Sequence, residues 1–221
     1  MEPLHRSNLP DKTQIAELPR FQNISADKII LIQSLAQAEI YREALQQTSC
    51  FGFDSESKPT FKVDEPATGP HVIQLATLDH VYLFQMNSDL WQFLQPVLAN
   101  PDQIKAGFGL KNDKHLFRKK GIELRGTLDL SKCFKSFGIQ HPLGVKNAMA
   151  LLFQVNFPKS KKISTSNWAA RTLSQAQIGY AAADAYASIL ILQELWRLGL
   201  LRPELKQQGF EPQKLPLFEQ S

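Results

Sequence analysis

The sequence predicts an α/β fold built on a mixed sheet, and three observations carry that expectation. First, the β-rich run Lys28–Ile32, a helical stretch from Gln37 to Gln47 and the run Phe51–Glu56 follow one another as strand, helix, strand. Second, Val72–Leu75 and Val81–Phe84 are β-rich runs joined by a short connection containing Asp79, the pattern of a hairpin and so of an antiparallel portion. Third, Ile104–Phe108 is a short strand ending in glycines that leads into a helical stretch, Asn112–Lys120, closed by Gly121.

Composition bounds the rest. With 221 residues, 43% of them hydrophobic, the chain is long enough for one buried core, and one domain is expected over residues 28–200. Residues 1–27, with Pro3, Pro10 and Pro19 among polar residues, read as an extended arm, and residues 201–221 as a tail. The formal charge of +4 permits a polyanionic partner without requiring one. Two cysteines, Cys50 and Cys133, and five histidines at 5, 71, 80, 115 and 141 form no metal-binding, redox or disulfide pattern. No apolar run is long enough to span a bilayer or to read as a signal peptide, so a reducing, cytoplasmic setting with no membrane partner is expected.

The chemistry is concentrated in acids. In a strand over Phe51–Glu56, Gly52, Asp54 and Glu56 share one face while Phe51 and Phe53 point to the other. Two carboxylates side by side repel unless a cation joins them, and hard divalent cations take carboxylate oxygens. The same pair also fits two solvated acids at a fraying strand end. Ser57–Gly69, with Pro59 and Pro66, is a loop; Leu90–Leu98 is helical, with Pro96 interrupting it. Asp113 falls in the first turn of the Asn112–Lys120 helix at the carboxyl end of a strand, where sites form in α/β sheets, although an acid there also caps a helix. Ile122–Leu124 is expected as a strand, Thr127–Phe137 and Gly144–Phe153 as helices. Pro158–Trp168 is a basic, hydroxyl-rich loop with Arg171 close behind, residue types suited to phosphate contact and base stacking as well as to a solvated loop around a packed Trp. The last long helix opens on a capping box, Ser174 with Gln177, stapled by Leu173 and Ile178, and ends at Gly199. Tyr180 and Asp184 share one face of it, in a setting too apolar for an acid without a partner.

Taken together, Asp54-x-Glu56, Asp113 in the context Gly-Phe-Gly-Leu-x-x-Asp, and Tyr180-x-x-x-Asp184 closely resemble the DEDD superfamily of 3′ to 5′ exonucleases in its tyrosine-bearing branch, in the manner of ribonuclease D and the Werner-syndrome-type exonuclease domain. The similarity runs from about Lys28 to about Leu198 and takes in Ile73-Gln-Leu75 and Ser166-Asn-Trp168. It implies a ribonuclease H-like fold, a mixed five- to six-stranded sheet flanked by helices, and two divalent cations, Mg²⁺ or Mn²⁺. Asp54 would bridge both, Glu56 and Asp184 would complete the site of the metal that binds the attacking water, Asp113 would hold the second metal, and Tyr180 would orient the water. It further implies a single-stranded or 3′-recessed nucleic-acid substrate, DNA or RNA, and release of nucleoside 5′-monophosphates.

Two departures qualify the resemblance. Where the family places a bulky residue after the second acid, this chain has Ser57-Lys58-Pro59 and then Phe61, so Ser57, Phe61 or Leu110 is expected at the terminal base. Lys161, Asn167, Trp168 and Arg171 are the remaining candidates for contact with the strand. Residues 201–221 are also too few for the helical accessory domain that ribonuclease D proteins append, so affinity is expected from the domain itself, its partners or a homo-oligomer. The competing expectation is a catalytically silent nucleic-acid- or protein-binding module on the same fold, whose mark would be the loss of an acid; none is lost.

Overall fold

Strands and helices are interleaved along the chain. Helix α1 (Lys12–Glu17) precedes β1 (Ile29–Ile32), the short helices α2 (Leu35–Glu39) and α3 (Arg42–Gln47), then β2 (Cys50–Glu56), β3 (Val72–Ala76) and β4 (Val81–Gln85). Helix α4 (Ser88–Leu98), β5 (Ile104–Gly107), α5 (Lys111–Lys119), β6 (Thr127–Asp129), α6 (Val145–Phe153), α7 (Lys161–Ser164) and the 23-residue α8 (Gln175–Arg197) complete the order. The computed structural model of the protein describes residues 9–60, 68–201, 205, 206 and 208. Among them no helix is long and apolar enough to cross a membrane.

The six strands form one mixed sheet in the order β1-β4-β3-β2-β5-β6. Only β3 runs against the others, pairing antiparallel with β2 and β4, while β1 with β4, β2 with β5 and β5 with β6 are parallel. The two-residue period divides the core. Phe51, Phe53, Ile73, Leu75, Tyr82 and Phe84 pack on one face with Leu90, Phe93 and Leu94 of α4 and Phe117 of α5. Cys50, Val72, Ala76, Val81, Leu83, Ile104 and Ala106 face the other way, against α6 and α8. Each fully buried Leu, Ile or Phe contributes roughly 1.5–3 kcal/mol, so the two layers hold the ends of β2 and α8 in fixed register.

Helix α8 begins and ends where its sequence signals lie. The Ser174 hydroxyl accepts from Gln177 N and the Gln177 amide oxygen accepts from Ser174 N. At the other end, Gly199 takes φ 69° and a Schellman pair closes the helix, Leu200 N donating to Leu195 O and Gly199 N to Trp196 O. Its alanines let it lie directly on β2. A Cβ on Gly52 would stand 2.0 Å from Ala185 O and 2.7 Å from Ile189 N, both backbone atoms that cannot step aside. Gly52→Ala is therefore expected to cost about 3 kcal/mol of stability, read as a lower urea midpoint at unchanged m-value. A wild-type midpoint would show that α8 does not rest on this strand.

Four segments differ from their expected form. Ile122–Leu124 is not a strand: its Ile122 and Leu124 are buried, but the place beside β5 belongs to Thr127–Asp129. Thr127–Phe137 is not a helix but that strand followed by 3₁₀ turns at Leu130–Lys132 and Lys135–Phe137, which bury Leu130, Cys133 and Phe134 at a spacing a helix would also satisfy. The stretch Gln37–Gln47 breaks at Ile40–Tyr41 into α2 and α3. The segment read as an extended arm contains α1, capped by Asp11, buries Ile15 and Phe21, and is strapped to Asn156 through Phe21 N to Asn156 O and Asn156 N to Pro19 O. Beyond α8, Leu201 and Leu205 are buried and Gln208 accepts from Asp129 N.

Candidate active site

The acids meet at the carboxyl end of β2. Antiparallel pairing sets Asp54 opposite Gln74 and Glu56 opposite Val72 at the end of the ladder, where His71 N still donates to Glu56 O. The close seat of α8 on Gly52 brings the third acid, Asp184, down beside them. Oxygens of Asp54, Glu56 and Asp184 all lie within 4.8 Å of one another. Asp113, in the first turn of α5, lies outside that trio and is held by the Ser55 hydroxyl, which donates to its Oδ1 at 2.5 Å. Ser55 points to the opposite face from its two acidic neighbours, so β2 reaches acids on both sides of its tip.

Electrostatics follows from the crowding. Burial, then the Asp184 and Asp113 charges, push the Asp54 carboxyl well above the ordinary carboxylate range. Burial and the Asp54 charge push Glu56 up to about 9. Burial raises Asp113 against the opposing Ser55 hydrogen bond. It raises Asp184 too, against Lys159, whose Nζ sits 2.6 Å from Asp184 Oδ1. Tyr180, raised to about 12 by burial and the Asp184 charge, remains a hydroxyl donor at neutral pH. Hard oxygen donors that close, each destabilised in its charged form, suit a divalent cation. Gln74, directly across the ladder from Asp54, is fully buried, and neither of its amide atoms has a hydrogen-bond partner among the described residues. It places an uncompensated polar group immediately beside the acids.

The expected strand-contacting residues divide. Trp168 is 0% exposed, its indole donating to Ser164 O and its ring packed near Tyr180, so it offers no face for a base to stack on; it supports the site from beneath. Leu110, 2% exposed, belongs to the core around Phe53 and Phe117 and likewise presents little surface to a terminal base. Ser57 is half-buried against Gly69. Lys161, Asn167 and Arg171 are exposed near the start of α8, where Asn167 O accepts from Gln177. Phe61 lies outside the described residues. Sequence reasoning missed Ser55 and Lys159. Alternation along β2 sets Ser55 on the face away from Asp54 and Glu56, with no sign that an acid waits there, and nothing in Pro158–Lys162 distinguishes Lys159 from Lys161 and Lys162.

A family model described as 3′-5′ exonuclease matches residues 29–199, from β1 to the end of α8. The chain belongs to the 3′-5′ exonuclease domain family. As a member of that family it is 33% identical over 163 residues to the bifunctional 3′-5′ exonuclease/ATP-dependent helicase WRN of Mus musculus, across 67% of this chain and 11% of that protein. The EXO domain of Aedes aegypti Nibbler superposes with a TM-score of 0.66 at 22% identity, over 88% of this chain and 97% of that one. Trypanosoma brucei RNase D, in its complex with RNA U12, superposes with a TM-score of 0.65 at 17% identity, over 83% and 64%. The 3′-5′ exonuclease domain described here thus has the ribonuclease H-like fold, with six strands in its mixed sheet. It spans about a tenth of the mouse relative's length.

Proposed function

We propose that the protein hydrolyses the terminal phosphodiester of a single-stranded or 3′-recessed nucleic acid and releases nucleoside 5′-monophosphates. The observation that carries this reading is the carboxylate trio Asp54, Glu56 and Asp184 within 4.8 Å, with Asp113 tethered at the other side of the same strand tip, in a member of the exonuclease family. Asp54, Glu56, Asp113 and Asp184 would hold two divalent cations, Mg²⁺ or Mn²⁺. When bound, these supply the charge that activates a water and stabilises the attacking and leaving oxygens.

The chain's own residues do the rest. Asp54 belongs to the trio and also feels the Asp113 charge, and its own charge is felt by Glu56. Ser55 fixes the direction of Asp113. Tyr180, protonated at neutral pH, directs its hydroxyl to the attacking water, and Trp168 backs its ring. Lys161, Asn167 and Arg171, exposed above the start of α8, meet the phosphate backbone. The crystallised RNase D–U12 complex supports nucleic acid as the ligand class.

The test is a degradation panel with Mg²⁺ or Mn²⁺ on 5′-labelled and 3′-labelled oligonucleotides, DNA and RNA, single-stranded and duplex. A ladder shortening from the 3′ end with mononucleotide product is expected, and no shortening of either label with either metal would refute the reading. Tyr180→Phe removes the hydroxyl that would meet the reacting water, along with its hydrogen bond to Asp184, and keeps all four carboxylates. It should slow turnover by roughly 10–100-fold while Mn²⁺ still raises the melting temperature as in wild type. Loss of that thermal gain would reassign Tyr180 to holding the acids.

A further inference from the structure

The structure places a cation of the protein's own inside the acidic centre. Lys159 Nζ lies 2.6 Å from Asp184 Oδ1, 5.4 Å from the centre of the Tyr180 ring and 5.7 Å from that of Phe157. Among the described residues this is the ion pair made to any of the four acids. Asp184 is fixed, its side chain 5% exposed on a helix seated against β2, whereas the Lys159 side chain is 40% exposed and reaches in from solvent. The backbone on either side of Lys159 is anchored, Phe157 in the core and Ser160 as the cap of α7. Only the flexible four-carbon stem has to move for the ammonium to leave.

Resting on the metal reading above, we propose that Lys159 is an exchangeable internal counter-ion: it pairs with Asp184 in the metal-free protein, is expelled when a divalent cation takes the Asp184 carboxylate, and is then free to pair with a backbone phosphate of the bound strand. The carboxylate that Lys159 occupies is one of the three whose oxygens lie within 4.8 Å of one another. An ammonium and a divalent cation on one carboxylate are like charges at close range, so binding of one opposes the other. A nucleic-acid strand offers the displaced ammonium a new anion. Metal and strand therefore assist each other through this one side chain, and the assistance is reciprocal.

The experiment is a Mn²⁺ titration of the full chain followed by electron paramagnetic resonance of free Mn²⁺, without nucleic acid and then with a single-stranded oligonucleotide carrying a phosphorothioate 3′ linkage. Wild type, Lys159→Met and Lys159→Gln are compared, with Asp54→Asn as the reference that lacks a ligand. Without nucleic acid, both Lys159 variants should bind Mn²⁺ about 10-fold more tightly than wild type. The oligonucleotide should tighten Mn²⁺ binding in wild type and do so much less in the variants, whose oligonucleotide affinity loses about 0.7 from its logarithmic salt slope. Equal or weaker Mn²⁺ binding by both folded variants would overturn the inference alone. Wild type that binds no Mn²⁺ would overturn the metal reading and this inference with it.

Discussion

Asp54→Asn should lose exonuclease activity by roughly a thousandfold or more while its metal-free form melts at a higher temperature than wild type. The first effect follows from position: Asp54 belongs to the carboxylate trio and its charge also feels Asp113 at the other side of the strand tip. On the proposed metal reading, losing Asp54 would forfeit several kcal/mol of charge stabilisation, and each 1.36 kcal/mol is tenfold in rate. The second effect follows from the cost of ionising a buried carboxylate beside two others. The amide keeps the shape of the side chain and removes the charge. Adding Mn²⁺ should raise the melting temperature of wild type by several degrees and leave Asp54→Asn nearly unmoved. A variant that kept its activity, or an undiminished Mn²⁺ gain, would remove Asp54 from the centre of the site.

The parts of this molecule legible in sequence are those set by local periodicity and local chemistry. Asp54 and Glu56 share a face because strands alternate, Tyr180 and Asp184 because helices repeat near four residues, and the ends of α8 follow from Ser174, Gln177 and Gly199. What was illegible depends on which residues meet across the fold. Trp168 in a basic loop has the composition of a stacking platform, yet its indole finds Ser164 O and a wall of core. Leu110 lies beside the close approach of Gly107 to Phe53 O, a packing constraint no local pattern records. Ser55 reaches Asp113 only because α5 starts beside the tip of β2, and Lys159 reaches Asp184 only because Phe157 and Ser160 anchor its loop. β6 was missed for a related reason: three residues, Thr127–Asp129, become a strand because Lys105–Gly107 is there to pair with them.

Stability of the metal-free protein should fall as pH rises between about 5 and 9, and Mn²⁺ should reverse the trend. Glu56 titrates at about 9 in the folded chain against an ordinary value of 4.5, and Asp54, Asp113 and Asp184 are displaced in the same direction. Through that window the folded state holds more protons than the unfolded one. The stability these groups contribute is complete below the unfolded values and is lost as pH climbs through the folded ones. Each such proton is worth about 1.4 kcal/mol per pH unit, or roughly 3–5 °C in melting temperature for a domain of this size. Lys105 works against this slope. It is buried, its ammonium donates to Val97 O and Asn100 O at the end of α4, and burial lowers it to about 7 from 10.5, so its contribution grows with pH across that interval. The decisive quantity is therefore the difference between wild type and Glu56→Gln, in which Lys105 cancels. Melting curves in EDTA from pH 5 to 9 should show the variant losing less stability than wild type. With saturating Mn²⁺, which binds only the ionised acids, wild type should instead gain stability as pH rises. Parallel curves for wild type and Glu56→Gln in EDTA would mean that Glu56 is already ionised in the folded protein, and that the trio is neutralised by something other than its own protons.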